Sequence, residues 1–504
     1  MENAQSGPGT PPVPEQPPRR RRLWRALAIS LVAGVVAGAA VGGALTLLPS
    51  VEHHLKPPAR GAGPQALTEV RAGVPAALPA LTALIGDRER YLRAHPQDAR
   101  AWAVLGTAYV EQGRRSADAA VYPKAEEALR TSLRRVEEKT SAGSAPETVA
   151  TANAAALDGL AALASARRDF AEAKRWAEQA VQAEPQRWSA YPQLIDAYNG
   201  LGDYKAARST LEKLTALKAQ GAARPAVMAQ AAAVYRDRGW REDAAAQLAD
   251  AAAAARTPAE QALYLERTGQ LSWERGDRED ALRHYEEALL LDPGQPAALA
   301  GKGRALAALG RTDEALTAYQ DALAAQPSPQ YMLELGELHE ALGQRSEART
   351  QYDLLRVRVA QDTAGGVDDE LVLGQFEADH GDARDAVARL TAEWERQPGI
   401  EVADALGWAL HRAGDNEGAL KYAKTATDKE HGGGVRSALY MYHLGVIEQA
   451  LDDTGPARRH LEEALRINPY FSPTRVTQAR EALRTLGAPA DADTPADIEL
   501  AKVR

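Results

Sequence analysis

Apolar and small residues recur along this chain at the three-and-four spacing of a helix face, and the whole pattern then returns at a longer fixed interval. In the segment GDREDALRHYEEALLLDP, Gly276 to Pro293, the residues Ala281, Leu282, Tyr285, Ala288 and Leu289 share one helical face and Pro293 stops the helix. The segment GRTDEALTAYQDALAAQP, Gly310 to Pro327, restates Gly, Ala, Leu, Tyr, Ala, Leu and Pro at an offset of 34 residues. Close variants of Gly-Asp-x-x-x-Ala recur at RDFAEA, GDYKAA, GWREDA, GQRSEA, GDARDA and GDNEGA. Ahead of these lies a Leu-Gly or similar pair, as in AWAVLGTAY, LERTGQLSW, LELGELHE, VLGQFEA, DALGWAL and YHLGVIE. The pattern predicts two helices per unit, with Gly276 permitting the turn between them. Small residues such as Gly269, Ala281 and Ala288 mark the places where the two helices cross, because a packed interior leaves no room there for extra methylenes.

A helix-turn-helix period of 34 residues carrying Trp or Leu, Leu-Gly, Tyr, Ala, Tyr, Ala and Pro in this order resembles the tetratricopeptide repeat family. The first helix of that family is matched best by AWAVLGTAY, with Trp102, Leu105, Gly106 and Tyr109. The resemblance implies an all-α fold, a right-handed superhelical solenoid of about ten repeats between Asp98 and Pro469. A last helix, PTRVTQAREALRTLG, caps the array. One unit cannot bury its own apolar face, so the units stack and stability becomes a sum over neighbours. The first unit carries an insertion, RRSADAAVY, and the breaks TSAGSAPE, QDTAGGVD and HGGG read as long loops between repeats.

The ends of the chain follow other rules. Residues 1–22 form a Pro-rich tail ending in Arg19–Arg22, which reads as disordered, and residues 23–48 read as a transmembrane helix. Its core, Ala26 to Leu48, has 23 residues and no charge, roughly 35 Å of helix against a hydrocarbon layer of about 30 Å. That run is longer than the apolar region of a cleaved signal, so it reads as an anchor. Five arginines precede it and only Lys56 and Arg60 follow closely, which places the N-terminus in the cytoplasm and the rest outside. Ser30, Gly34, Gly38, Gly42 and Thr46 lie on one stripe, where a second copy's helix can approach to form a homodimer or where small residues merely fill the span. A linker, 49–75, leads into the solenoid at 76–486, and 487–504 reads as a flexible tail. His53 and His54 are adjacent but lack further ligands nearby, so they read as linker residues.

Composition then removes function classes. A formal net charge of −9 leaves no basic face of the kind that grips nucleic acid. Without cysteine there is no disulfide, no thiolate metal site and no covalent haem attachment. Neither Gly-x-Ser-x-Gly nor His-Glu-x-x-His occurs, and the GKG at Gly301 to Gly303 lacks phosphate-loop spacing and falls inside a repeat helix. The chain therefore reads as no enzyme, with no catalytic residue, cofactor or metal.

What remains is the inner groove that such arrays line with first-helix positions. The family register puts Asp196, Asn199, Arg236, Gln270, Trp273, Arg304, Glu337, Glu340, Gln375, Trp408, His411 and Arg412 there. Trp273 and Trp408 either anchor a partner's side chain or pack against the next repeat. The first reading is a membrane-anchored scaffold that binds protein or peptide partners. The alternatives are an assembly factor holding client polypeptides, as in cytochrome c maturation, and the targeting subunit of an enzyme complex.

Overall fold

In the computed structural model of the chain, the described residues are 76–487 except 142–145, 218–222 and 429–433, together with 63–64, 66–67 and 70. They belong to the second of two units, Gly61–Arg504 rather than Met1–Arg60. The apolar run at 26–48, its small-residue stripe, the His53–His54 pair, the Gly-rich break at 431–433 and the tail at 488–504 lie outside the described residues. Among the described residues no helix is long and apolar enough to cross a membrane.

Between Leu78 and Thr485 the described residues form α-helices, one short 3-10 turn and no strand. After α1 (Leu78–Ala94) come ten antiparallel pairs, each a first helix and a second helix. They are α2 (Ala99–Ser116) with α3 (Tyr122–Ser141), α4 (Pro146–Ala166) with α5 (Phe170–Ala183), α6 (Ala190–Gly200) with α7 (Tyr204–Ala216), and α8 (Ala223–Asp237) with α9 (Arg241–Ala254). The middle pairs are α10 (Pro258–Glu274) with α11 (Arg278–Leu291), α12 (Pro296–Ala308) with α13 (Thr312–Ala325), and α14 (Pro329–Ala341) with α15 (Arg345–Ala364). Last come α16 (Glu370–His380) with α17 (Ala383–Arg396), α18 (Ile400–Arg412) with α19 (Asn416–Thr427), α20 (Ala438–Ala450) with α21 (Thr454–Ile467), and the single helix α22 (Arg475–Thr485).

The recurring Gly-Asp-x-x-x-Ala motif has a physical meaning at each letter. Gly202, Gly276 and Gly414 take φ of 72°, 83° and 91°, the left-handed turn out of a first helix. The Asp then caps the second helix: Asp169, Asp203 and Asp415 accept from the backbone N–H of Glu172, Ala206 and Gly418 at 3.0, 2.9 and 2.9 Å. Such a cap is typically worth about 1 kcal/mol. The Ala four residues after that cap position is the crossing point, and Ala173, Ala207, Ala281, Ala315, Ala386 and Ala419 are all buried.

The aromatic of the second helix fills the space those small residues leave. Tyr285 is completely buried between Gly269 and Gly301, and a Cβ on Gly269 would lie 2.8 Å from its ring. A Cβ on Gly303 would lie 2.7 Å from the ring of Tyr319, so the GKG segment serves helix packing. The apolar core is a string of separate clusters along the array, as expected where each unit leans on its neighbours. One loop differs from the sequence expectation: α15 continues through Ala364, so the first half of QDTAGGVD is helical. Arg358 holds Asp362 one helical turn away at 2.7 Å and also bonds the carbonyl of Ala117, which ties down that last turn.

That bond to Ala117 is one of a series joining parts of the chain far apart in sequence. The Phe170 N–H donates to Gln397 at 3.0 Å, the Ile400 N–H to the Tyr204 hydroxyl at 3.0 Å, and Asn468 Nδ2 to the Trp273 carbonyl at 2.7 Å. Arg115 pairs with Asp292 at 3.0 Å, and Arg241 bonds the carbonyl of Arg436. Turn glycines take part: Gly202 abuts Pro398, Gly239 abuts Gly434, and a Cβ on Gly276 would lie 3.0 Å from Pro469. The sequence separations in these bonds run from 177 to 241 residues. The array has therefore coiled once round and closed a seam between successive turns.

Candidate functional site

The first helices α6, α8, α10, α12, α14, α16, α18 and α20 turn their register-free positions toward a common lumen, and the polar side chains there are tied to one another. Gln230 donates to Asp196 at 2.9 Å and Arg304 to Gln270 at 2.7 Å, both 34 residues apart; Arg412 bonds the Ala378 carbonyl at the same separation. Arg236 clasps Glu274 at 2.7 to 3.0 Å and Asn199 reaches Asp237 at 3.4 Å, both 38 residues apart, one repeat plus one helical turn. The repeat period thus sets which side chains meet.

Two clusters result. In the first, Arg304 adds Glu334 at 3.1 Å, Tyr319 donates to the same carboxylate at 3.0 Å, and Gln270 donates to Glu274 at 3.0 Å. The Coulombic pull of Glu274 raises the pKa of Arg236, while burial pushes Glu274 upward and Arg236 overcomes it, leaving that carboxyl below its ordinary value. Asp237 sits beside them and burial pushes it up to about 6. In the second, Arg475 bridges Glu337 at 3.3 Å and Asp379, and His380 lies 3.3 Å from Glu340. Burial would raise Asp379, but Arg475 outweighs it and the pKa is lowered.

The two tryptophans resolve in favour of packing. Trp273 and Trp408 are only 7% and 6% exposed. Trp408 donates its indole N–H to Asp379 at 2.9 Å and stacks on His443 with ring centroids 4.2 Å apart. Trp273 belongs to the core under Tyr285, with the Arg304 guanidinium 6.0 Å from its ring. They form walls of the lumen. His411 bonds Asn416 at 2.7 Å beside the turn into α19, and burial lowers its pKa. Gln375 lines the lumen between the two clusters.

Sequence reasoning did not find Glu274, Glu334, Asp379 or Arg475. The first three lie on the same helices as chosen residues, at turns whose partners belong to a neighbouring repeat, the preceding one for Glu274 and Glu334 and the following one for Asp379, and Arg475 sits on the capping helix, outside the repeat register. Around these residues the lumen opens into a cavity of about 650 Å³ bounded by Trp273, Leu333, Glu337, Trp408, Tyr470 and Arg475. A second cavity of about 650 Å³ at the N-terminal half is lined by Arg100, Arg114, Arg187, Arg267, Asp158 and Asp196. Such volumes suit a side chain or a short segment of a partner. Among the described residues no three His, Asp or Glu stand where they would hold a metal ion.

Residues 266–328 and 301–363 match the tetratricopeptide repeat family. Residues 266–363 carry tetratricopeptide repeats. The helix pairs and turn chemistry of that segment continue through the rest of the array. No curated protein matches the chain in sequence. Among solved structures it is similar to pilF of Pseudomonas aeruginosa, at 19% identity over 41% of this chain and 93% of that one, with a TM-score of 0.34. It is also similar to the human IFIT1 dimer with PPP-AAAA, at 14% identity, 77% and 94% coverage and a TM-score of 0.41. Yeast Tom70 follows at 13% identity, 77% and 97% coverage and a TM-score of 0.29. Likeness at this level says nothing about shared partners. The repeats make the array a scaffold for protein interaction.

Proposed function

We propose that the protein is a non-enzymatic, membrane-tethered scaffold that takes segments of partner proteins into the lumen of its tetratricopeptide array, on the outer side of the membrane. The observation that carries this reading is the cavity of about 650 Å³ lined mainly by first-helix residues and the segment Pro469–Arg480, where apolar side chains such as Leu333 and Trp408 stand beside charged ones such as Glu337 and Asp379. Grooves of this kind hold a segment through a few anchors and a matched polar rim. Tethering is supported by the uncharged run from Ala26 to Leu48 and by the arginines before it. The stripe Gly34, Gly38 and Gly42 supports association of two copies within the membrane.

Affinity capture from solubilised membranes tests the groove. Gln375→Trp fills the cavity without removing an ion pair, and it is expected to abolish capture of the co-purifying protein while the helical circular dichroism stays unchanged. Equal capture by wild type and Gln375→Trp would refute the groove as the binding surface. A reporter fused to the C-terminus is expected to be active only outside the cytoplasm, and crosslinking is expected to lose its dimer on Gly38→Leu.

A further inference from the structure

The lumen already holds a segment of this chain. After α21 the residues Asn468 to Arg475 cross to the wall formed by much earlier repeats. Asn468 donates to the Trp273 carbonyl at 2.7 Å, and Tyr470 lies beneath the Arg278 guanidinium at 4.2 Å from the ring centroid. Arg475 then reaches Glu337 on α14 and Asp379 on α16, with all three side chains about 15% exposed or less.

Arg475 is the first residue of α22, where a cation opposes the positive end of the helix's own dipole and an acidic residue would be preferred. Its position answers the carboxylates across the lumen. Were α22 to leave, Glu337 would keep His380 at 4.0 Å as its cation, and Asp379 would keep the more distant Arg412 at 3.6 Å together with the Trp408 indole N–H at 2.9 Å. Removing one partner from a buried ion pair is strongly unfavourable, so these acids release one guanidinium most readily when another replaces it.

We propose that the segment Asn468–Arg480 is an intramolecular occupant of the groove, exchanged for an arginine-bearing helical segment of the partner. This rests on the interaction reading above and adds the partner's chemistry: an arginine in the first helical turn, preceded about five residues earlier by an aromatic ring, the spacing of Tyr470 to Arg475. The guanidinium takes the two carboxylates and the ring takes the Arg278 site.

The test uses the full-length protein in detergent and a fluorescent peptide copying residues 468–486. Wild type is expected to bind the peptide only weakly, in competition with its own segment, and Arg475→Ala to bind it at least about tenfold more tightly, the scale of one exchanged ion pair. The same peptide with its arginine at 475 changed to alanine is expected not to bind, nor is the intact peptide to Arg475→Ala carrying Glu337→Gln and Asp379→Asn. Equal affinity of wild type and Arg475→Ala, or binding independent of the peptide's arginine, overturns the exchange. A measurement on wild type alone avoids any folding defect: excess peptide is expected to speed amide hydrogen exchange in α22, and no change overturns the proposal. Partner capture that Arg475→Ala leaves unaltered overturns the exchange but not the interaction reading. Peptide exchange with no protein captured by either form counts against the interaction reading instead.

Discussion

Trp408→Ala separates a wall from an anchor. The indole is 6% exposed, stacks on His443 at 4.2 Å and donates to Asp379 at 2.9 Å. A buried tryptophan hides up to about 250 Å², worth about 6 kcal/mol at ~25 cal/mol/Å², and part of that area is buried again by collapse around the truncated site. The expected loss is about 4 kcal/mol, in the range of large core truncations. Trp408→Phe keeps a ring over His443 and removes only the charge-assisted hydrogen bond, so it should cost about 2 kcal/mol. Urea unfolding followed by circular dichroism measures both, and hydrogen exchange in α18 and α20 localises the change should the array unfold in parts. If Trp408→Ala stays within about 0.5 kcal/mol of wild type while partner capture falls, the side chain is an anchor and the packing argument is wrong.

Gly269→Ala places a Cβ 2.8 Å from the fully buried Tyr285 ring, and overpacking less the gain in helix propensity should leave a net loss of about 1 kcal/mol. Gly455→Ala, whose Cβ meets nothing within 4 Å at the start of α21, should instead gain about 0.5 kcal/mol, and thermal unfolding of the two should show opposite signs. Asp237 and Asp369 are pushed up to about 6, burial being the largest cause in both. A carboxyl with a raised folded pKa contributes stability that is fully present below its unfolded pKa and lost as pH rises through about 6, so wild type should lose stability between about pH 4 and pH 6 relative to Asp237→Asn and Asp369→Asn. The low pKa of His411 acts the other way, which is why the difference from the variants is the quantity to measure. Tyr204→Phe removes the acceptor for the Ile400 N–H at the seam and should cost about 1 to 3 kcal/mol; a melting temperature equal to wild type would show that the seam contributes nothing.

The helix pairs were legible because each depends on residues close in sequence. Gly276 makes a turn, Asp203 caps a helix, and Ala281 admits Tyr285, all within about one repeat. The lumen was half legible. Register placed Arg236, Gln270, Arg304 and Glu337 on the inner face, yet whether a side chain there is free depends on its neighbour 34 or 38 residues away, and Trp408 reads alike as anchor or as wall until His443 and Asp379 are located. The seam was not legible at all. Which loop meets Gly202 or Gly276 depends on small rotations accumulated over some five repeats, and no local motif encodes that sum.

That seam limits how the chain can change in length. A simple repeat array tolerates gain or loss of a unit, since every joint is equivalent. Here the loops of one coil are matched to the elbows of the coil below, Pro398 to Gly202 and Pro469 to Gly276. Deleting one unit between them would slide each loop past its elbow and break the whole row at once, so duplication and deletion of repeats, the usual route by which such arrays evolve, is open only outside the overlapped region.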